Sequence, residues 1–137
     1  MRGCTVYKER MAWLAIGVGG ALGSVARHGV NVLVHDRWPL MRFPLATLVV
    51  NVAGCLIIGV LAGLVMSERI ALRFHWREFL FVGILGGFTT FSTFGLDTIT
   101  LARTHSLAAM WNVAAQVGLG LIAVQVGILI GALDWSG

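Results

Sequence analysis

The sequence has few charged residues. Only 12% of its 137 residues are Asp, Glu, Lys or Arg, which is half of the roughly 25% that soluble domains carry. Hydrophobic residues make up 58%, and the mean hydropathy is +0.87. This composition indicates a protein of the lipid bilayer. The formal charge of +4 does not indicate a nucleic-acid binder, because the Lys and Arg residues stand in short pieces between apolar blocks.

Cysteine and catalytic groups are also scarce. The two cysteines, Cys4 and Cys55, lack the spacing of a metal site, and a thiol within an apolar block, such as Cys55, behaves as a small hydrophobic side chain. Ser92 or Thr93 could act as a nucleophile with His105 as its base. The sequence offers no carboxylate placed to orient the imidazole, however. We therefore predict that the chain is not an enzyme.

Four apolar segments account for most of the chain. A helix needs about 20 apolar residues to cross the hydrocarbon core, and each segment is long enough. Basic residues precede the first segment as in a signal peptide, but we expect that segment to remain as a membrane helix. The connections are too short to hold a soluble domain. We predict an all-α integral membrane protein, a single transmembrane domain over residues 1–137, with helices at about 11–34, 44–66, 79–102 and 106–133.

The Lys and Arg residues give only a weak preference for one orientation. With four spans, the side of the N-terminus holds six of them, and the opposite side holds three, with Arg27 inside the first span near it. An excess of Lys and Arg favours the cytoplasmic side. The excess is small, and part of it lies in the N-terminal arm.

Many of the eighteen glycines recur at a spacing of four. Small residues at this spacing let membrane helices approach closely. We predict such close packing at Gly19/Gly23, Gly59/Gly63, Gly83/Gly87 and Gly127/Gly131.

The third segment contains "GGFTTFSTF" (86–94), which interleaves glycines, hydroxyls and rings. Phe88, Phe91 and Phe94 are three apart, so they would lie near one face of a helix. The glycines and threonines predict a break in that helix, and broken backbone at membrane depth must be buried in protein or line a wet cavity. Phe side chains at this spacing are also typical of a core, so ion contact by the ring edges and ordinary packing both remain open.

Several polar side chains fall at membrane depth, where they are expensive and therefore candidates for function. Asn51 is predicted either to hold the bundle by an interhelical hydrogen bond or to donate to a passing ion. Asn112 and Gln116 are one turn apart and share a helix face. Arg27 either extends to the headgroups or gives a positive potential at a pore mouth.

Four motifs in order, "GGALGSVAR" (19–27), "TLVVNVAG" (47–54), "GGFTTFSTF" (86–94) and "WNVAAQVGLGL" (111–121), resemble the Fluc/CrcB family of bacterial fluoride channels. The resemblance implies four helices per subunit with the third broken, and an antiparallel, dual-topology homodimer with two fluoride pathways. It implies passive fluoride efflux across the bacterial inner membrane, which protects the cell from fluoride. The residues it assigns to the pathway are Asn51, Phe91, Ser92, Thr93, Phe94, Asn112 and Gln116.

The resemblance assigns three further positions. Arg27 matches an arginine near the pore entrance, and the backbone carbonyls of Gly86 and Thr89 match those that hold a structural Na⁺ at the dimer interface. The chain departs from the family pattern at Gly120, where related proteins often carry a hydroxyl. The charge excess also leaves open whether the partner is the same chain or an oppositely oriented paralogue.

Two other classes of function remain as alternatives. A four-helix, proton-coupled exporter of small molecules or drugs needs a carboxylate inside the bundle, and the only candidate is Asp97, near the end of the third segment. A purely structural membrane subunit would not need Asn51 or a broken helix.

Overall fold

The structure, a computed structural model, describes residues 2–133, and side chains from residue 9 onward. Cys4 and the first two basic residues of the charge count, Arg2 and Lys8, therefore lie outside the described side chains. The first helix, α1, covers Arg2–Arg37 and exceeds the apolar stretch at both ends, because a helix can continue into water. It ends before Trp38, which precedes Pro39; a residue before proline is disfavoured in the α conformation.

The second helix, α2, covers Leu45–Met66 and begins directly after Pro44. It ends at Ser67, whose hydroxyl donates to the Gly63 carbonyl at 2.8 Å and so satisfies one of the carbonyls that a helix terminus leaves free. The chain then turns through Glu68, which has a positive φ of 58°.

The third spanning stretch consists of four helical pieces. They are α3 (Phe74–Arg77), a π-helical segment (Glu78–Leu85), α4 (Gly86–Phe88) and α5 (Phe91–Ala102). The helical stretch begins five residues before the sequence boundary at residue 79, at a point where Trp76 and Arg77 suit the membrane–water interface. The last helix, α6, covers Ser106–Ala132.

Within the described residues, three helical stretches are long and apolar enough to cross a membrane: Leu45–Met66, Phe74–Ala102 and Ser106–Ala132. The chain is thus a multi-pass helical membrane protein. α1 is not among the three, and its apolar stretch is interrupted by Arg27, His28 and Asn31. Large apolar side chains face outward on α1 and α6, as expected where lipid rather than water surrounds the helices; Trp13, Leu14, Val25, Leu107 and Leu121 are examples.

Glycines set the distance between paired helices. A β-carbon at Gly127 on α6 would lie 2.8 Å from the Val60 backbone nitrogen and 2.9 Å from the Gly59 α-carbon on α2. A β-carbon at Gly19 on α1 would lie 3.0 Å from the Gly83 α-carbon. The predicted close packing is confirmed, since α2 crosses α6 and α1 crosses the π-helical segment through these glycines.

The buried face of α6 carries amide side chains in its first half and mainly glycines in its second half. It packs on α2, and its buried members recur every three or four residues: Ala109, Asn112, Gln116, Gly120, Ala123, Gly127 and Gly131. The half with glycines is tightly packed, whereas the other half carries two amides, Asn112 against Thr98 of α5 and Gln116 against Asn51 of α2.

Candidate functional site

The third stretch is interrupted at Thr89 and Thr90. Thr89 has ψ 160° and Thr90 has φ −152° and ψ 112°, so both are extended. The Thr90 hydroxyl oxygen accepts a hydrogen bond from the Thr93 backbone N–H at 3.2 Å, and threonine is a favoured N-cap. The predicted break is thus confirmed: Gly86 and Gly87 are still helical, and the interruption lies at the two threonines that follow them.

The position of the break also separates the three phenylalanines. Phe88 ends α4 and Phe91 begins α5, so the expectation that Phe88, Phe91 and Phe94 share one helix face is wrong. Phe91 and Phe94 do belong together, with ring centroids 5.4 Å apart and ring planes at 63°. This is an edge-on arrangement, which aromatic pairs favour.

Asn51 on α2 bridges the break. Its Oδ1 accepts from the Thr90 backbone N–H at 2.9 Å, and its Nδ2 donates to the Thr90 carbonyl at 3.2 Å. The Asn51 amide thus replaces the missing backbone partners of the Thr90 N–H and C=O. Backbone polar groups within the bilayer need such partners, because lipid offers no hydrogen bonds. Nδ2 also donates to Gln116 Oε1 at 3.1 Å, so both of its hydrogens are engaged.

Two side chains of α1 reach the carbonyls beside the break. Arg27 donates from Nη1 to the Thr89 carbonyl at 3.4 Å, and the Ser24 hydroxyl donates to the Gly87 carbonyl at 3.5 Å. Arg27 is half-buried. Its guanidinium therefore gives the break a positive charge, ten residues before the end of α1.

The carbonyl of Gly86 is released from helical bonding. In an unbroken helix the Thr90 N–H would donate to Gly86, but here it donates to Asn51. Gly86 is exposed on the surface of the chain. Its carbonyl and that of Thr89, which is extended, are hard oxygen donors of the kind that suit an alkali ion. The Thr89 carbonyl has a second lone pair besides the one directed at Arg27, so the two residues fit the Na⁺ that the resemblance implies.

The two amides of α6 each leave one atom without a partner. Asn112 is fully buried and donates from Nδ2 to Thr98 Oγ1 at 2.8 Å. Gln116 is 9% exposed and accepts from Asn51. Among the described side chains, Asn112 Oδ1 and Gln116 Nε2 are buried and have no hydrogen-bond partner. The two lie on the same buried face of α6, as their spacing predicts.

The remaining predicted residues lie at or near the outer surface of the chain. Phe91 is 82% exposed, Ser92 and Thr93 are exposed, and Phe94 is half-buried. The Thr90 hydroxyl lies 3.3 Å from that of Ser92 and donates to that of Thr93 at 3.0 Å. Rings and hydroxyls thus form one exposed patch in an otherwise apolar setting, next to the Asn51–Gln116 pair.

Sequence reasoning missed Thr47 and Thr98, and gave Asp97 no place in the site. The Thr47 hydroxyl donates to Asp97 Oδ2 at 2.7 Å, on the wall of a cavity of about 710 Å³ that also includes Thr93, His35 and Arg42. An acidic residue within an apolar segment was a usable signal for Asp97. Thr47 and Thr98 gave none, because threonine is common in membrane helices and only packing shows which hydroxyl meets a polar partner.

His105 does not join Ser92 or Thr93. It lies before α6, with Nε2 3.5 Å from Nη1 of Arg42. Among the described side chains, no three His, Cys, Asp or Glu residues form a group that could hold a metal ion.

These features define a class of protein: a helical membrane protein with a broken helix, in which the polar backbone groups at the break are bound by a side-chain amide of another helix. A family model described as "CrcB-like protein, Camphor Resistance (CrcB)" matches residues 14–128. The chain belongs to this family.

Individual relatives are similar over most of their length. A protein from Paracoccus denitrificans is 48% identical over 120 residues, which cover 87% of this chain and 93% of the relative. One from Nitrobacter winogradskyi is 44% identical over 127 residues (90% and 96%), and one from Parabacteroides distasonis is 45% identical over 115 residues (83% and 88%). All three are named "Fluoride-specific ion channel FluC", and an ion channel is not an enzyme, as predicted.

Proposed function

We propose that this chain forms a fluoride-selective channel that lets fluoride leave the cell passively across the bacterial inner membrane. The family and the names of the relatives support fluoride as the transported ion. The observation that carries the proposal is the buried, unpartnered Nε2 of Gln116, an N–H donor at membrane depth on the residue that pairs with Asn51 at the break.

The chemistry of this patch suits a small, strongly hydrated anion. Fluoride enters a pore only where donors replace its hydration water, and selectivity in channels follows from pore diameter and from the donors that line it. The hydroxyls of Ser92 and Thr93 and the Gln116 amide supply donors. The electropositive ring edges of Phe91 and Phe94 add weaker contacts, and their bulk excludes larger anions.

We propose further that α1 is a fourth membrane crossing and that two antiparallel subunits form the channel. Phe91 is 82% exposed, and Ser92 and Thr93 are exposed beside it. Hydroxyls facing lipid at this depth would be unfavourable, so a second copy is the natural cover. A two-fold pair gives each subunit the same contacts and two pathways. The small charge excess is compatible with insertion in both orientations.

The carbonyls of Gly86 and Thr89 are our candidates for a structural Na⁺ at the axis of the pair. One subunit offers two oxygens and its copy offers two more. When bound, the ion would supply a fixed positive charge between the two pathways. With these four carbonyls around it, the two broken helices would be held together at the axis.

Fluoride release from liposomes tests the function. Purified protein in vesicles loaded with potassium fluoride should release fluoride once a potassium ionophore removes the opposing voltage. Vesicles loaded with potassium chloride should release essentially no chloride, because the rings exclude it. Chloride release at a comparable rate would contradict the proposal. An absolute need for a proton gradient would favour the exporter, with Asp97 as its carboxylate.

Removal of sodium tests the ion at the axis. Prolonged dialysis into a large organic cation should lower fluoride flux slowly and lower the thermal stability of the dimer, and added sodium should restore both. Radioactive sodium should not cross the membrane with fluoride, since the carbonyls offer no path of further ligands. Flux and stability that do not change after complete exchange would refute the ion's structural role.

A further inference from the structure

The connection between α1 and α2 meets the connection between α5 and α6 at one end of the chain. Nη1 of Arg42 in the first lies 3.5 Å from Nε2 of His105 in the second, and both side chains are exposed. The two connections, residues 38–44 and 103–105, also contain Arg103 but no acidic residue. Arg42, Arg103 and His105 therefore form a basic cluster at this end.

The Arg42 guanidinium lacks a negatively charged partner in the described part of the chain. Arginine can only donate hydrogen bonds, so its contact with His105 requires an unprotonated Nε2. Within residues 9–133 this ring is the one hydrogen-bond partner of the guanidinium. Asp97 lies on the wall of the adjoining cavity, where it is bonded to Thr47. Most N–H groups of Arg42 thus remain available, in a planar fork that suits the oxygens of a phosphate.

The basic cluster stands at the polar end of a groove of about 620 Å³. Besides Arg42 and His105, the groove has mostly apolar walls, formed by Phe43, Leu101, Leu107, Ala108 and Trp111. The third spanning stretch ends and α6 begins beside it, and a tryptophan such as Trp111 is typical of the membrane–water boundary. Leu107 and Trp111 are largely exposed. The groove therefore joins a basic headgroup-level end to an apolar lipid-level wall.

The groove is separate from the exposed patch for which we propose a second subunit. Leu101 in its wall lies ten residues after Phe91 on α5, which is about 15 Å along a helix. Trp111 follows a different face of α6 from Asn112, since Asn112 is fully buried and Trp111 is exposed. An occupant of the groove thus need not compete with a partner at the patch.

We propose that this groove binds an anionic phospholipid, with its phosphate at Arg42 and His105 and an acyl chain along Leu107 and Trp111. The apolar wall favours a lipid over a free phosphate ion, which has nothing to bury there. The ammonium of a zwitterionic headgroup would meet the basic cluster, which has no acidic residue to receive it, so the lipid is anionic. Bound in this way, it would link the start of α2 to the start of α6 at the membrane surface.

Competition between two lipids tests the charge preference. Detergent-solubilised protein is mixed with equal amounts of phosphatidylglycerol and phosphatidylcholine that have the same acyl chains, and the lipids it retains are counted by native mass spectrometry. The wild type should retain phosphatidylglycerol with a preference of about tenfold, the effect expected for a hydrogen bond between charged groups. This measurement does not depend on the ion that the chain conducts.

A pair of substitutions locates the site. Arg42→Gln keeps a polar side chain but removes the charge, and it should lose the preference while the size of the assembly stays unchanged. Arg73→Gln is the matched control: Arg73 is also exposed, but it precedes α3 and lies outside the groove. This variant should retain phosphatidylglycerol like the wild type.

Inorganic phosphate in large excess distinguishes a lipid site from a simple anion site. It should leave most of the phosphatidylglycerol bound, because it cannot replace the acyl chain. Three results would overturn the proposal: equal retention of the two lipids by the wild type, an unchanged preference in Arg42→Gln, or displacement of the lipid by phosphate. The first and third use the wild type and do not require Arg42→Gln to fold.

Discussion

Replacement of Phe91 or Phe94 by Ile is expected to reduce fluoride release from liposomes to the background of protein-free vesicles. Ile keeps an apolar side chain but has no ring, so it removes the electropositive edge while leaving the constriction closed to larger ions. The rings are in edge-on contact, with centroids 5.4 Å apart. Loss of one ring therefore also removes a contact that holds the other ring in its orientation. Each substitution should therefore abolish flux on its own.

The exposure of Phe91 makes this prediction specific. The side chain is 82% exposed, so Ile at this position leaves the core of the subunit intact, and a properly assembled variant without flux identifies a role in conduction. Phe74→Ile is the matched control, because Phe74 is also exposed, at 55%, but lies outside the site. Flux retained in Phe91→Ile and Phe94→Ile would assign these rings to packing alone.

Gly127→Ala is expected to prevent stable assembly. The added methyl group would lie 2.8 Å from the Val60 nitrogen and 2.9 Å from the Gly59 α-carbon, and these are backbone atoms that cannot turn aside. Overpacking of this kind typically costs about 1–3 kcal/mol, and here it forces α2 and α6 apart along their whole buried seam. The Asn51–Gln116 contact spans the same two helices, so flux should be lost together with stability.

Gly118→Ala provides the control on the same helix. A β-carbon at Gly118 meets nothing within 4 Å, and Ala is favoured over Gly in a helix by about 1 kcal/mol. Heating each detergent-solubilised variant and then measuring the fraction that elutes as intact assembly should show Gly118→Ala at or above wild type and Gly127→Ala far below it. Equal behaviour of the two would mean that close contact of α2 and α6 is not needed.

The sequence predicted correctly those features of the fold that depend on the residues of a single segment. Apolar length located the three stretches that can cross a membrane, and glycine spacing located the helix crossings, because both depend on the segment alone. The helix ends were less accurate. α1 begins at Arg2 and the third stretch at Phe74, because polar and interfacial residues continue a helix beyond the bilayer and hydropathy does not detect them.

The site was harder, because its contacts are tertiary. The composition around Gly86 indicated a break, but its location at Thr89 and Thr90 depends on Asn51, 39 residues away in sequence. The spacing of Asn112 and Gln116 predicted their shared face. Nothing in the sequence showed that Gln116 pairs with Asn51 or that Asn112 pairs with Thr98, because each bond depends on how two helices are aligned.

The bond between Asn51 and Thr90 also bears on the order in which the helices enter the bilayer during synthesis. The third stretch carries an interrupted backbone that lipid cannot solvate, and the amide that replaces the missing partner lies on α2. Since α2 precedes the third stretch in the chain, it leaves the ribosome first and is available when the break arrives. A rearranged gene that encodes the third stretch ahead of α2 would have to insert an unprotected break, and it should yield less membrane-inserted protein than the natural order.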